Sequence, residues 1–254
     1  MDKIFLGSQT ARNGFANEKD IADKFNFWQS DSDAQKWLTL MNYSLLEIKK
    51  VKAVVISGHK ADINVQINIE LQQTMGIENI QVKLVSNKTG FNQIDKRWVD
   101  TYTQMWNIPN DIQIILKYFT GELKPIRNHT KSNKRMFLDK FDPNQQQALL
   151  QFFDTNKILI LSDILQGRGQ FSAEWVLVAQ KLDYSIRWVL QPIAKVLNHY
   201  LGDGTVHITP KGSLKIGLIT MQRKGGDGGG RPTANMLQFK CDPTELFGIN
   251  NNKI

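Results

Sequence analysis

Three residues of this chain have the types and spacing for metal-assisted phosphodiester hydrolysis. Asp62 ends the run Ser57-Gly-His-Lys-Ala-Asp62, and Gln81 and Lys83 follow in Gln81-Val-Lys83, with eighteen residues between Asp62 and Gln81. Side chains alternate across a strand, so Gln81 and Lys83 share one face while Val82 points into the core. Asp62 offers a hard carboxylate oxygen for Mg²⁺. Gln81, the backbone carbonyl of Val82 and phosphate oxygens can complete the shell. Lys83 is then left to orient or deprotonate the attacking water and to offset charge developing on phosphorus. Gln81 stands where a second acid is usual, so the site carries less negative charge than a two-carboxylate version. Glu18, read on the polar side of the first helix, can add a carboxylate through water; its plain alternative is an exposed helical glutamate.

These residues need particular elements to bring them together. Residues 51–57 read as a buried strand. Residues 62–69 alternate, with Ile63, Val65, Ile67 and Ile69 on one face and polar residues on the other. Residues 79–85 form the next strand, with Ile80, Val82 and Leu84 inward. A hairpin turning over Leu71–Gly76 would set Asp62 opposite Lys83. Helices are expected at 15–28, with Phe15, Ala22, Phe25 and Trp28 on one stripe, and at 33–41, 92–106 and 111–119. The 92–106 helix would carry Ile94, Trp98, Tyr102 and Met105 at helical spacing. Asp142-Pro-Asn-Gln145 is a helix start with an acid cap, proline at the first position and a capping-box glutamine. A further helix is expected at 192–201, and strands at 206–209, 213–223 and 234–240. The fold class is α/β, a mixed central sheet flanked by helices, with a strand-rich second half. A soft boundary in the basic stretch 121–136 separates a catalytic half (1–120) from a DNA-reading half (121–254), within what can also be one globular unit.

The 254 residues carry a net charge of +8, which favours a polyanionic partner. Lys124, Arg127, Lys131, Lys134, Arg135 and Lys140 form one basic stretch. Lys211, Lys215, Arg223, Lys224 and Arg231 form another, and two such stretches suit a groove around a phosphate backbone. Other classes lose ground. The N-terminal run is not a signal peptide, and no apolar stretch approaches the ~18 residues that span a membrane. A single cysteine, Cys241, excludes an internal disulfide and a multi-cysteine zinc site. The expected location is the cytoplasm. The four histidines are scattered, no serine or cysteine triad is supported, and no P-loop spacing occurs. Ser162, Asp163, Glu174 and Lys181 mimic a second acid–lysine set, but adjacent Gln180 and Lys181 would face opposite ways on a strand.

Candidate DNA contacts fall in three places. Gln222-Arg-Lys-Gly-Gly-Asp-Gly-Gly-Gly-Arg231 is the strongest. Arg223, Lys224 and Arg231 suit guanine O6 and N7, Asp227 suits cytosine N4, and Gln222 adds a further polar contact. In Thr89-Gly-Phe-Asn-Gln93, Asn92 and Gln93 can bond base edges and Phe91 can wedge a base step, unless it simply packs under the sheet. Gly167-Arg168-Gly169 offers a phosphate contact at Arg168.

Longer runs carry a resemblance. Ser57–Gln66, Asn79–Lys88, Gly90–Lys96, Gly169–Lys181, Met221–Asp227 and Thr233–Phe247 closely resemble HinP-type Type II restriction endonucleases, which recognise GCGC. These belong to the PD-(D/E)xK nuclease superfamily and are related to MspI-like enzymes. The resemblance covers nearly the whole chain and adds Lys96 to the DNA-facing candidates. It implies a restriction-endonuclease-like fold and Mg²⁺-dependent hydrolysis of double-stranded DNA within GCGC, leaving 5′-phosphate and 3′-hydroxyl ends. Asp62, Gln81 and Lys83 would hold one or two metals and the attacking water. It also implies a bacterial restriction–modification system, in which a methyltransferase protects host DNA as a functional rather than physical partner. The chain departs from the pattern in the glycine-rich loop at 225–231 and after Phe247. Two other readings stay open on the residues alone: a structure- or mismatch-directed repair nuclease, and a sequence-specific DNA-binding protein without catalysis.

Overall fold

The computed structural model describes residues 3–56, 64–72, 74–88, 90–125, 132–226 and 230–249. They divide into two compact units, each assembled from separated stretches: 1–90, 165–196 and 242–254 in the first, 91–164 and 197–241 in the second. This division follows compactness, whereas the boundary expected at 120/121 was one of role.

The first unit is built on a mixed sheet in the order β1-β2-β3-β5-β6. Its strands are β1 (Ile48–Ile56), β2 (Asn64–Leu71), β3 (Met75–Val85), β5 (Trp175–Leu182) and β6 (Ser185–Pro192). All neighbours are antiparallel except the parallel pair β3–β5. β1 forms an edge and turns Lys49, Lys50 and Lys52 to solvent, which discourages pairing with another chain. β2 alternates as expected, with Val65, Ile67 and Ile69 fully buried. β5 is apolar on both faces, with Val176, Leu177, Val178 and Ala179 all buried, as a strand covered on both sides must be. Helices α1 (Lys3–Asn26) and α2 (Ser32–Leu40) pack on one face through Ile21, Ala22, Phe25, Trp37 and Leu38. Trp37 joins the core by rings, 5.3 Å from Phe25 and 5.8 Å from Trp188. Lys24 ties the two helices together, with ion pairs of 2.9 Å to Asp31 and 3.1 Å to Asp33. On β3, β5 and β6 packs the C-terminal 3-10 segment Pro243–Gly248.

The second unit holds an antiparallel sheet in the order β4-β10-β9-β8-β7: β4 (Asn92–Arg97), β7 (Val206–Ile208), β8 (Leu214–Ile216), β9 (Ile219–Arg223) and β10 (Leu237–Cys241). With it are α3 (Val99–Trp106), α4 (Asn110–Thr120) and α5 (Pro143–Leu165), while α6 (Ile193–Leu201) straddles the division. Tyr102 and Trp106 stack at 4.6 Å, and both meet Phe239 edge-on. The buried Trp106 indole donates to Asp163 at 2.7 Å.

Four expectations change. Residues 92–97 are strand β4 rather than the start of a helix. Pairing with β10 captures them, and α3 begins only after Trp98, whose backbone is extended. The expected strand 213–223 is two strands joined at Gly217-Leu218. Gly217 has φ +53, and a Cβ there would collide with the carbonyls of Tyr200 and Leu201. Residues 232–235 form a 3-10 turn before β10 begins. The first helix reaches back to Lys3, and Phe15 is 54% exposed, outside the stripe that Ala22, Phe25 and Trp28 do form. No described helix is long and apolar enough to cross a membrane.

Candidate active site

β3 runs through the middle of its sheet and is buried on both faces. Ile80 and Val82 belong to the core under α1 and α2, while Asn79 and Gln81 are buried on the opposite face. Gln81 is 4% exposed, and Lys83, next on that face, is half-buried. The flanking register is regular: Gln81 pairs with Asn64 on β2 and Val176 on β5, and Lys83 pairs with Val178. The polar pair is thus framed on the β5 side by two buried valines, where water is scarce and charge interactions are strong. Asp62 lies outside the described residues. The pairing of Asn64 with Gln81 is the one that the expected facing of Asp62 and Lys83 requires in the part of β2 that is described.

Glu18 is 6% exposed, and this corrects its expected place on the polar side of α1. It falls on the same stripe as Ile21, Ala22 and Phe25 at helical spacing, so it turns toward the sheet with them. A carboxylate withdrawn from water in this way needs polar partners.

The segment leaving β3 is pinned from two sides. Gln180, nearly fully buried, donates to the carbonyls of Asn87 (2.7 Å) and Lys88 (3.0 Å) and accepts from Arg187 Nε at 2.6 Å. Asp242 Oδ1 accepts from Gly90 N–H at 3.2 Å and from both the N–H and hydroxyl of Thr244. Burial alone would raise the Asp242 pKa, but these donors outweigh it and hold the carboxyl below its ordinary value. In the sequence Gln180 stands out only beside Lys181; the signal for its role is a polar residue breaking the apolar run of β5.

In the second unit Phe91 is 50% exposed, so it does not pack under a sheet, and the Lys240 ammonium lies 4.9 Å above its ring. Burial lowers the Lys240 pKa. Asn92, Gln93 and Lys96 are strand residues on β4, opposite Cys241, Lys240 and Gln238 of β10. Gln222 pairs with Gln238 across β9 and β10. Arg223 is used within the unit: Nε donates to the Thr120 carbonyl at 2.8 Å and an Nη to Asn235 Oδ1 at 2.7 Å. Lys224 continues the strand pairing through its N–H to the Met236 carbonyl at 2.8 Å. Arg231 is exposed, and Asp227 lies outside the described residues. A cleft of about 360 Å³ brings the two basic stretches together, with Lys124 and Lys134 from one and Arg223 and Arg231 from the other. Among the described residues no carboxylate lines it. Arg168 belongs instead to the first unit, exposed between Gly167 and Gly169.

The comparisons with known proteins agree with this architecture. Residues 41–247 match the R.HinP1I restriction endonuclease family, a stretch holding the proposed catalytic strand and both basic stretches. No curated protein matches in sequence. Among solved structures, the fold is similar to restriction endonuclease MspI in complex with its cognate DNA. The TM-score is 0.64 at 16% identity, over 94% of this chain and 93% of that one. Identity that low speaks for the fold alone, whereas the family match spans most of the sequence. On that match the chain belongs to the R.HinP1I restriction endonuclease family and is a Type II site-specific deoxyribonuclease.

Proposed function

We propose that this protein hydrolyses phosphodiesters of double-stranded DNA within GCGC, between G and C, in a Mg²⁺-dependent reaction. The observation that carries the reading is the strand geometry: β3 presents Gln81 and Lys83 on one face, in a register that sets Asn64 against Gln81. The family match supports the reaction class, and the name of the similar structure, a complex with cognate DNA, supports duplex DNA as partner.

The donor set suits a hard cation. The Gln81 amide oxygen, the Val82 carbonyl and the Asp62 carboxylate are all oxygens, which Mg²⁺ prefers. No three His, Cys, Asp or Glu side chains gather among the described residues, so Asp62 is needed to complete the set. When bound, Mg²⁺ supplies positive charge at the phosphate and a more acidic water. Lys83 holds the attacking water in line with the P–O3′ bond and offsets charge on the non-bridging oxygens. The new P–O bond forms from water, the P–O3′ bond breaks, and the ends are 5′-phosphate and 3′-hydroxyl. Gln81, being neutral, lets the phosphate approach with less repulsion than a second carboxylate would.

By role, the residues up to about 120 carry the chemistry and those beyond it read DNA. The basic cleft of Lys124, Lys134, Arg223 and Arg231 would hold phosphate backbone. A cytosine methyltransferase acting on GCGC would protect the host, a bacterium with this enzyme in its cytoplasm. The test is digestion of unmethylated plasmid with Mg²⁺ and sequencing of the fragment ends. Ends uniformly inside GCGC are expected. Ends scattered over the sequence, cuts confined to lesions, or binding without cutting by folded protein would sink the reading.

A further inference from the structure

Asn79 precedes Gln81 by two residues on β3, shares its face and is 5% exposed. Its side chain is engaged at both ends. Oδ1 accepts from Gln66 Nε2 at 3.1 Å, and Nδ2 donates to the Gln170 carbonyl at 3.2 Å. Its backbone is engaged as well, the N–H donating to Glu174 Oε2 at 2.5 Å and the carbonyl accepting from Glu174 N–H at 2.9 Å. Gln170 lies in the 3-10 turn Gly169–Phe171, for which Arg168 is the N-cap. The turn is closed by Ala173 N–H to the Gln166 carbonyl at 2.8 Å and by Ser172 N–H to the Gly169 carbonyl at 3.0 Å. Gly167 and Gly169 have φ of +83 and +80, and Arg168 between them is extended and exposed. A Cβ at either glycine would meet nothing within 4 Å, so the left-handed backbone, not space, requires glycine there. Within the first unit, a buried amide therefore fastens an arginine-bearing turn to the strand and face that carry Gln81 and Lys83.

We propose that Asn79 is a positioning residue. It clamps the Gly167–Gly169 turn onto the polar face of β3, so that Arg168 binds a DNA phosphate neighbouring the one that is cut. This rests on the nuclease reading above. A guanidinium suits the role because its planar fork pairs two phosphate oxygens at once, but only when its backbone is held in place.

The test reads phosphate contacts directly. Binding of the full chain to a GCGC duplex is measured in Ca²⁺ across a salt series, where each phosphate contact adds about 0.9 to the log–log slope. Arg168→Ala is expected to lower that slope by about one, Asn79→Ala by the same amount, and the double variant by about one rather than two. A merely structural asparagine would shift the melting temperature and leave the slope alone, which overturns the proposal, as does an unchanged slope in Arg168→Ala. Should Asn79→Ala fail to fold, Gly169→Ala takes its place with the same expectation. Cleavage by Lys83→Ala is assayed alongside. No Mg²⁺-dependent cleavage by the folded wild-type protein removes the nuclease reading itself, whereas wild-type cleavage that is lost in Lys83→Ala, with an unchanged Arg168→Ala slope, removes only this inference.

Discussion

Lys83 and Arg223 illustrate how differently two basic side chains are used. Lys83 sits half-buried on a central strand beside Gln81, and Lys83→Ala is expected to abolish Mg²⁺-dependent cleavage while leaving sequence-specific binding intact in a gel-shift titration. Cutting at the wild-type rate would remove it from the chemistry. Arg223 had the composition of a guanine reader, yet two of its nitrogens hold Thr120 and Asn235. Arg223→Ala is therefore expected to cost about 2 kcal/mol of stability, since charge-assisted bonds to partly buried groups are lost. The thermal midpoint should drop by roughly 4–8 °C at about 2–4 °C per kcal/mol for a chain of this size. An unchanged midpoint, with discrimination lost, would restore it as a base reader. That Gln81 and Lys83 share a face was legible because strand alternation fixes which side chains do so. Asn79 and Gln180 were not, because uncharged amides reveal their purpose only through the carbonyls they reach, all more than ninety residues away in sequence.

The start of α5 was the most readily read of the helix starts. Asp142 and Gln145 form the expected reciprocal box, Gln145 N–H to Asp142 at 3.0 Å and Asp142 N–H to Gln145 at 3.3 Å. Asp31 caps α2 by accepting from Asp33 and Ala34 N–H. Burial alone would raise its pKa, but the Ala34 N–H, the Lys24 ammonium and the Asp33 N–H outweigh that and leave it lowered. A lowered carboxyl stabilises the fold above its unfolded value, about 3.9, and loses that contribution as pH falls through the folded value. Urea titrations should therefore show Asp31→Asn less stable than wild type at about pH 6, with the gap closing at about pH 3. A gap independent of pH would mean that the charge contributes nothing. Strand β4 was misread because Ile94, Trp98, Tyr102 and Met105 fall by coincidence at helical spacing. Local pattern cannot register that β10, some 140 residues later, offers a hydrogen-bonding edge.

At the scale of the whole molecule, a net charge of +8 and a cleft lined by four cations, with no acid among its described residues, favour an electrostatic contact with DNA. Log affinity for duplex DNA is expected to fall linearly with log salt, with a slope that counts phosphates neutralised. A flat dependence would contradict a phosphate-lined contact. The interleaving of the two units was not legible in the sequence, since a single composition shift suggested a single boundary. The chain passes between the units four times, at residues 90/91, 164/165, 196/197 and 241/242. Its last crossing delivers residues 242–249, whose Leu246 and Ile249 carbonyls accept from the fully buried Gln191 and whose Asp242 fastens Gly90. On a ribosome these residues emerge long after the strand bearing Gln81 and Lys83. Nascent chains thus carry that strand long before they carry the segment that packs against it.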